Sequence, residues 1–305
     1  KMEPDKYLEK INIALKDMDR GFYPKALKEL LEVTNDDLFK KLNVKDKLFI
    51  NKRMSWIQLS LGQYEEGWKN FTYNWIKNIE KFKRIKKEDS SISYLINMNQ
   101  IKKKESLILW NDGGYGDFIY QLRLLKYLDG FISYKIYTSK MDHLLRNKKL
   151  ITKSSKDFRW HLPINEIPRI LIFNPKYHLN FDYDYLVKPS AEYSNYKYHV
   201  SLTYKTQTSF KKSINYKLLQ LLFNEKKNIK FLILQNDLKE DEKNFFSKFK
   251  NVKFINDLDN SAIFQDSFNI ISSVRYVISI DTAISHIAGY LGKKTYLLLN
   301  TPSSF

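Results

Sequence analysis

Two short stretches concentrate the residues able to move a proton or hold an anion. The first is Trp110-Asn111-Asp112-Gly113-Gly114-Tyr115-Gly116-Asp117, which reads as the end of a strand and a glycine-rich turn opening a helix. Gly113, Gly114 and Gly116 permit positive φ and a close approach of a ligand to the backbone. The helix N-terminus beyond them offers unpaired N–H groups and a dipole that favours negative charge. Asp117 stands at that terminus. It can cap the helix, as Asp commonly does, or serve as a base toward a bound substrate, and local sequence does not choose between the two. The turn is not a dinucleotide fingerprint, because Ile119 stands where the third glycine belongs, and no Gly-Lys-Ser/Thr follows as in a phosphate-binding Walker loop.

The second stretch runs from Val277 to Thr295 and contains Asp281-Thr282-Ala283-Ile284-Ser285-His286. A buried strand is expected to end at Asp281, Thr282 to cap the next helix, and Ser285 and His286 to lie near its first turn. Polar groups at such a turn can bind a diphosphate; equally, Asp281-Thr282 is a plain helix cap and His286 a core residue. Ala288 and Gly289 suit tight helix–sheet packing, and Gly292 suits a helix C-terminus. Weaker candidates are Lys211-Lys212-Ser213-Ile214, whose cations could offset the charge of a departing diphosphate, Gln235 at the end of a strand, and Asp266 on a helix. Cysteine is absent, which excludes thiolate chemistry and disulfides.

Positioning these residues requires alternating strands and helices. From Ser106 onward, strands are expected at 107–110, 134–138, 170–173, 199–203, 230–234, 252–255, 276–280 and 295–299. Helical patterns lie at 118–128, 215–223, 240–249, 262–273 and 283–291. Such alternation predicts parallel α/β layers, with ligands at the carboxyl ends of the strands. The first 80 residues read as helices. Gly21-Phe-Tyr-Pro-Lys-Ala26-Leu27 and Gly62-Gln-Tyr-Glu-Glu-Gly67-Trp68 resemble each other 41 residues apart, against about 34 for a tetratricopeptide repeat. Extra residues near Asn43 to Lys47 would account for the excess. Trp56, Leu59 and Leu61 fit one buried stripe, and Trp68, Tyr73 and Trp75 are candidates for docking the repeats on the α/β part. The expected organisation is a helical segment at 1–80, a basic connection at 81–105, a first Rossmann-like half at 106–196 and a second at 197–305.

The net charge is +18, from 52 Lys and Arg against 34 acidic residues. It points to anionic partners, or equally to a drift in composition toward Lys, Asn, Ile and Tyr. Apolar residues make up 43% of the chain, too many for a disordered protein, and no apolar run approaches a membrane-spanning length. The cytosol is the default compartment, with a peripheral contact to an anionic inner-membrane surface as one reading of the charge.

Taken in order, the motifs resemble the bacterial tetratricopeptide-repeat glycosyltransferases related to the ADP-heptose:lipopolysaccharide heptosyltransferases of glycosyltransferase family 9. The match runs from Gly62 to Trp75, through Asp112 to Arg123, His161-Leu162-Pro163 to Pro168, and Lys212-Ser213-Ile214, where Arg is usual, to Asp281 through Gly292. The resemblance implies a GT-B fold: two Rossmann-like halves facing a cleft, acceptor on the first, nucleotide-sugar on the second. It implies inverting, metal-independent transfer to a glycan, lipid-linked glycan or protein, with no cofactor beyond the nucleotide-diphosphate sugar, ADP-linked in the heptosyltransferases. Asp117 would be the base, with Gly113, Gly114 and Gly116 the acceptor-side loop. Lys212, Ser213, Gln235, Asp281, Thr282, Ser285 and His286 would bind the donor. Asp182-Tyr183-Asp184 has the spacing of a metal motif without its strand–turn setting. The sequence stops at Phe305, earlier than such proteins usually do, which implies either that a C-terminal piece is missing from it or that the protein is a reduced member of the family, without activity. The competing reading is a non-catalytic assembly protein whose repeats bind a protein partner; nucleic acid is not expected.

Overall fold

The computed structural model describes residues 3–71, 92–95, 98–102, 105–111, 113–130, 132–137, 142–154, 156–171, 186, 198–206, 212–259 and 264–299. Tyr73, Trp75, Asp112 and Asp182 to Asp184 therefore lie outside the described residues.

The N-terminal part forms two helical hairpins. Helices α1 (Pro4–Asp19) and α2 (Tyr23–Asn35) meet at a turn through Gly21, and α4 (Val44–Ser60) and α5 (Tyr64–Phe71) at a turn through Gly62. Both glycines take left-handed backbone, with φ of +79° and +76°, where a side chain would be strained. This shared turn is the structural content of the sequence similarity. At the next small position, Ala26 is fully buried, and a Cβ on Gly67 would come within 2.7 Å of Leu59 Cγ, so α4 and α5 approach closely only with glycine there. The extra length between hairpins folds as a short helix, α3 (Asp37–Lys41), while residues 44–47 form the first turn of α4, capped by Asn43 accepting from the Asp46 N–H. The expected stripe on α4 is broken: Leu59 is buried, Trp56 is half-buried under Lys52 and Arg53, and Leu61 is exposed. Helix α5 packs against α7 (Ile167–Leu171), so the hairpins contact the α/β part.

The first sheet has five parallel strands in the order β1-β5-β2-β3-β4. They are β1 (Ser93–Tyr94), β2 (Ser106–Trp110), β3 (Ser133–Tyr137), β4 (Ile151–Thr152) and β5 (Trp160–Pro163). Strand β1 falls within the expected basic connection and pairs with β5. Strand β5 was not expected, and residues 167–171, the expected site of a strand starting at Ile170, are helical. Strand β5 is buried on both faces, so its Trp-His-Leu-Pro run shows no alternation, and Pro168 stands in the first turn of α7, where a missing N–H costs nothing.

The second sheet is also parallel, in the order β10-β9-β6-β7-β8, with β6 (Val200–Thr203), β7 (Phe231–Ile233), β8 (Val252–Phe254), β9 (Tyr276–Ile280) and β10 (Lys294–Leu298). Helices α8 (Leu219–Glu225), α9 (Glu240–Phe246), α10 (Gln265–Ser273) and α11 (Ala283–Tyr290) cover it. One buried cluster runs from the first half into the second, joining Leu109, Phe118 and Leu122 to Phe268, Ile284, Ile287 and Ala288. The halves thus meet where α6 (Tyr115–Leu122) packs on α11. Among the described residues, no helix is long and apolar enough to cross a membrane.

Candidate functional site

Each sheet reverses its strand order once, and in parallel α/β sheets the crevice at such a reversal opens at the carboxyl ends of the strands. In the first sheet the chain builds outward from β2 to β3 and β4, then returns to β5 on the other side. The turn after β2 accordingly meets the turn after β5. A Cβ on Gly113 would lie 2.5 Å from Asn165 Nδ2 and 2.6 Å from Asp117 Oδ2. Gly113, Gly114 and Gly116 have no positive φ, so the expected left-handed turn is not used, and glycine serves close approach at 113 and 116 but not at 114. Asp117 occupies the third position of α6, and its Oδ2 accepts from the Gly114 N–H at 2.9 Å. It therefore caps the helix, while the residue itself is solvent-exposed. Among the described residues, no hydrogen bond engages its second oxygen.

The second sheet reverses between β6 and β9. Lys212, in the loop after β6, donates to Asp281 Oδ2 at 2.6 Å at the end of β9. His286 Nε2 lies 3.9 Å from the other Asp281 oxygen. Thr282 sits at the cap position of α11 with extended backbone, but its hydroxyl makes no cap bond to the helix. It lies instead 3.4 Å from Ser279 Oγ. Ser285 donates back to the Thr282 carbonyl at 2.7 Å. Ser213 Oγ accepts from the Thr206 N–H at 3.1 Å and so closes the loop carrying Lys212.

Gln235 follows β7, one strand removed from the reversal. It is nearly buried, its amide donates to Asp237 at 2.7 Å, and its carbonyl oxygen has no partner. Asp266 accepts from the Asp259 N–H at 2.8 Å and holds the loop before α10; nothing places it at the crevice. Among the described residues no group of three or more His, Asp and Glu could hold a metal ion.

The two reversals face one another. A Cβ on Gly116 would fall 2.9 Å from His286 Cδ2 and 3.3 Å from the Ala283 nitrogen, so the first turns of α6 and α11 touch. His286 is thereby half-buried, with 27% of its side chain exposed. Burial holds its imidazole below the usual histidine value; Asp281 and Asp117 pull it upward, and Arg123 and Lys212 push it further down. Burial prevails, so the ring is neutral at neutral pH. Sequence motifs point to Asp117, Lys212, Asp281 and His286, which the fold does bring together. Tyr120 and Arg123, which also reach this junction, carry only a spacing signal: they follow Gly116 at i+4 and i+7.

The glycine contacts give one expected outcome. Gly116→Ala must displace the His286 ring or the α11 backbone and is expected to cost about 1–3 kcal/mol, as overpacking does. Gly114→Ala, whose Cβ would find Asp117 Oδ2 at an ordinary 3.6 Å, is the control and should cost under about 1 kcal/mol. Urea denaturation of both variants checks this; equal losses would show that the α6–α11 contact is not tight.

No family model matches the chain, and no curated protein matches it. Solved structures do. Escherichia coli heptosyltransferase WaaC with ADP-2-deoxy-2-fluoro heptose aligns over 63% of this chain and 88% of its own, at 10% identity and a TM-score of 0.39. The glycosyl transferase family 9 structure from Veillonella parvula aligns over 63% and 80%, at 7% identity and a TM-score of 0.46. The iron-containing dodecameric glycosyltransferase TibC from enterotoxigenic E. coli aligns over 65% and 58%, at 13% identity and 0.45. At these TM-scores the likeness is too loose to carry a functional assignment, which must rest on the side chains themselves.

Proposed function

We propose that the chain is a GT-B-type glycosyltransferase that moves a sugar from a nucleotide-diphosphate sugar to an acceptor hydroxyl, with inversion and without a metal. The observation that carries this reading is the meeting of two helix N-termini at the two strand-order reversals, one bearing the Asp117 carboxylate and the other preceded by Asp281, to which Lys212 of the loop after β6 is paired. Asp117 takes the acceptor proton as the acceptor oxygen bonds to the anomeric carbon and the bond to the diphosphate oxygen breaks. The departing diphosphate gains charge, which Lys212 and the positive end of the α11 dipole stabilise. Lys212 reaches the diphosphate by leaving Asp281, an exchange of one anionic partner for another. The acceptor is a glycan, lipid-linked glycan or protein, approached from the side of Gly113 and Gly114, and the helical hairpins, read as tetratricopeptide repeats, suit a protein partner.

A thermal-shift series with ADP, GDP and UDP tests the donor site. A ligand at about 100-fold its Kd stabilises by about 2.7 kcal/mol, which for a protein of this size raises Tm by on the order of 5 °C. One of the three is expected to do so. No shift with any of them at millimolar concentration would overturn the reading.

A further inference from the structure

Gly116 and Tyr120 on α6 and Arg123 at its C-cap are spaced by four and then three residues, and the face they form meets the imidazole of His286 from the opposite half. The Tyr120 ring centroid is 5.4 Å from that of His286, with the planes inclined by 58°. Arg123, only 4% exposed, lays its guanidinium 3.7 Å from the centre of the same Tyr120 ring. Tyr120 itself is 38% exposed, so it forms part of a wall rather than part of the core. The side chain of the second half that stands beside Lys212 and Asp281 is therefore held by a ring of the first half, braced from behind by an arginine.

We propose that Tyr120 is a positioning residue that clamps His286 beside the donor diphosphate as a neutral group, and that His286 takes up a proton from solvent when the diphosphate binds. The proton uptake rests on the donor-site reading above; the clamp does not. The charged groups facing His286 are Asp281 and Lys212 from its own half and Asp117 and Arg123 from the other. Two carboxylates oppose two cations, and lost hydration, the largest influence, decides the protonation state. The Tyr120 ring and the Gly116 contact supply that loss. A diphosphate adds negative charge to this set, and it draws Lys212 off Asp281, so an imidazolium becomes the favoured form.

A histidine whose folded-state pKa lies below its unfolded value stabilises least in acid: stability is full above about pH 6.5 and falls as pH drops toward the folded-state value. Removing the clamp rehydrates the ring and should remove that dependence.

The test is the imidazole titration of His286 in the full chain by NMR, assigned with His286→Gln. Wild type is expected to titrate below about 6.5, Tyr120→Phe to match it, and Tyr120→Ala and Tyr120→Leu to move toward the ordinary value. An unchanged titration in both Ala and Leu variants, or a Phe variant that moves as far as they do, overturns the clamp. Calorimetry with ADP near pH 6.5, in buffers of different ionisation enthalpy, reads the second part. Wild type is expected to take up a fraction of a proton on binding and His286→Gln none. ADP binding without uptake in wild type overturns the proton step, whereas failure of ADP and the other nucleotides to bind overturns the donor site and leaves the titration to judge the clamp.

Discussion

Asp117→Asn is expected to lower the transfer rate by roughly 100-fold or more while nucleotide affinity and Tm stay near wild type. The structure sharpens this expectation because Asp117 visibly caps α6 through the Gly114 N–H. Asparagine caps about as well as aspartate, so the substitution keeps the turn and removes the proton acceptor. A residue that only caps would leave activity intact. Transfer assayed with a saturating donor distinguishes the two, since loss of a base lowers kcat and leaves donor binding alone. Full activity of this variant would end the base assignment.

Lys212→Ala should weaken nucleoside diphosphate binding by about 10- to 100-fold, the effect of losing a hydrogen bond to a charged group worth about 1.5–3 kcal/mol. Its effect on folding should be small. The Lys212–Asp281 pair is partly solvated, with 39% and 23% of the two side chains exposed, and such pairs contribute little after screening. Removing Lys212 also frees Asp281 to repel the incoming diphosphate, so the loss in affinity should exceed that of Asp281→Asn. Titration of ADP against the three proteins by calorimetry checks the order. An Asp281→Asn variant that binds more weakly than Lys212→Ala would make Asp281, and not Lys212, the anchor of the site.

Local chemistry makes much of this architecture legible in the sequence alone. Gly21 and Gly62 mark helical turns because only glycine takes φ near +79° and +76° without strain. The strands at 106–110 and 231–233 are apolar runs, those at 200–203, 252–254 and 276–280 mix Val, Ile, Leu, Phe or Tyr with Ser, Thr or Lys, and the helices between them follow the 3.6-residue period. Asp117 and Asp281-Thr282 stand where strands become helices, and that position alone makes them candidates for capping or for anions. Strand β5 escaped because a strand buried on both faces has no alternation to read, and its neighbour α7 escaped because five residues are too few to show a period.

What the chain's residues determine by themselves is therefore the set of strand-to-helix turns and the polar side chains set at them, since backbone propensity and capping act over a few residues. Which turns face one another was decided by tertiary structure. Lys212 and Asp281 are separated by 69 residues and meet at 2.6 Å only because β9 crosses back to lie beside β6. Gly116 and His286 touch because the apolar faces of α6 and α11 close one buried cluster across both halves. Thr282 lies at its expected cap position yet turns its hydroxyl toward Ser279 and makes no cap bond to α11. Strand order and helix docking are set by burial of area shared between distant segments, a quantity that no local window of sequence contains.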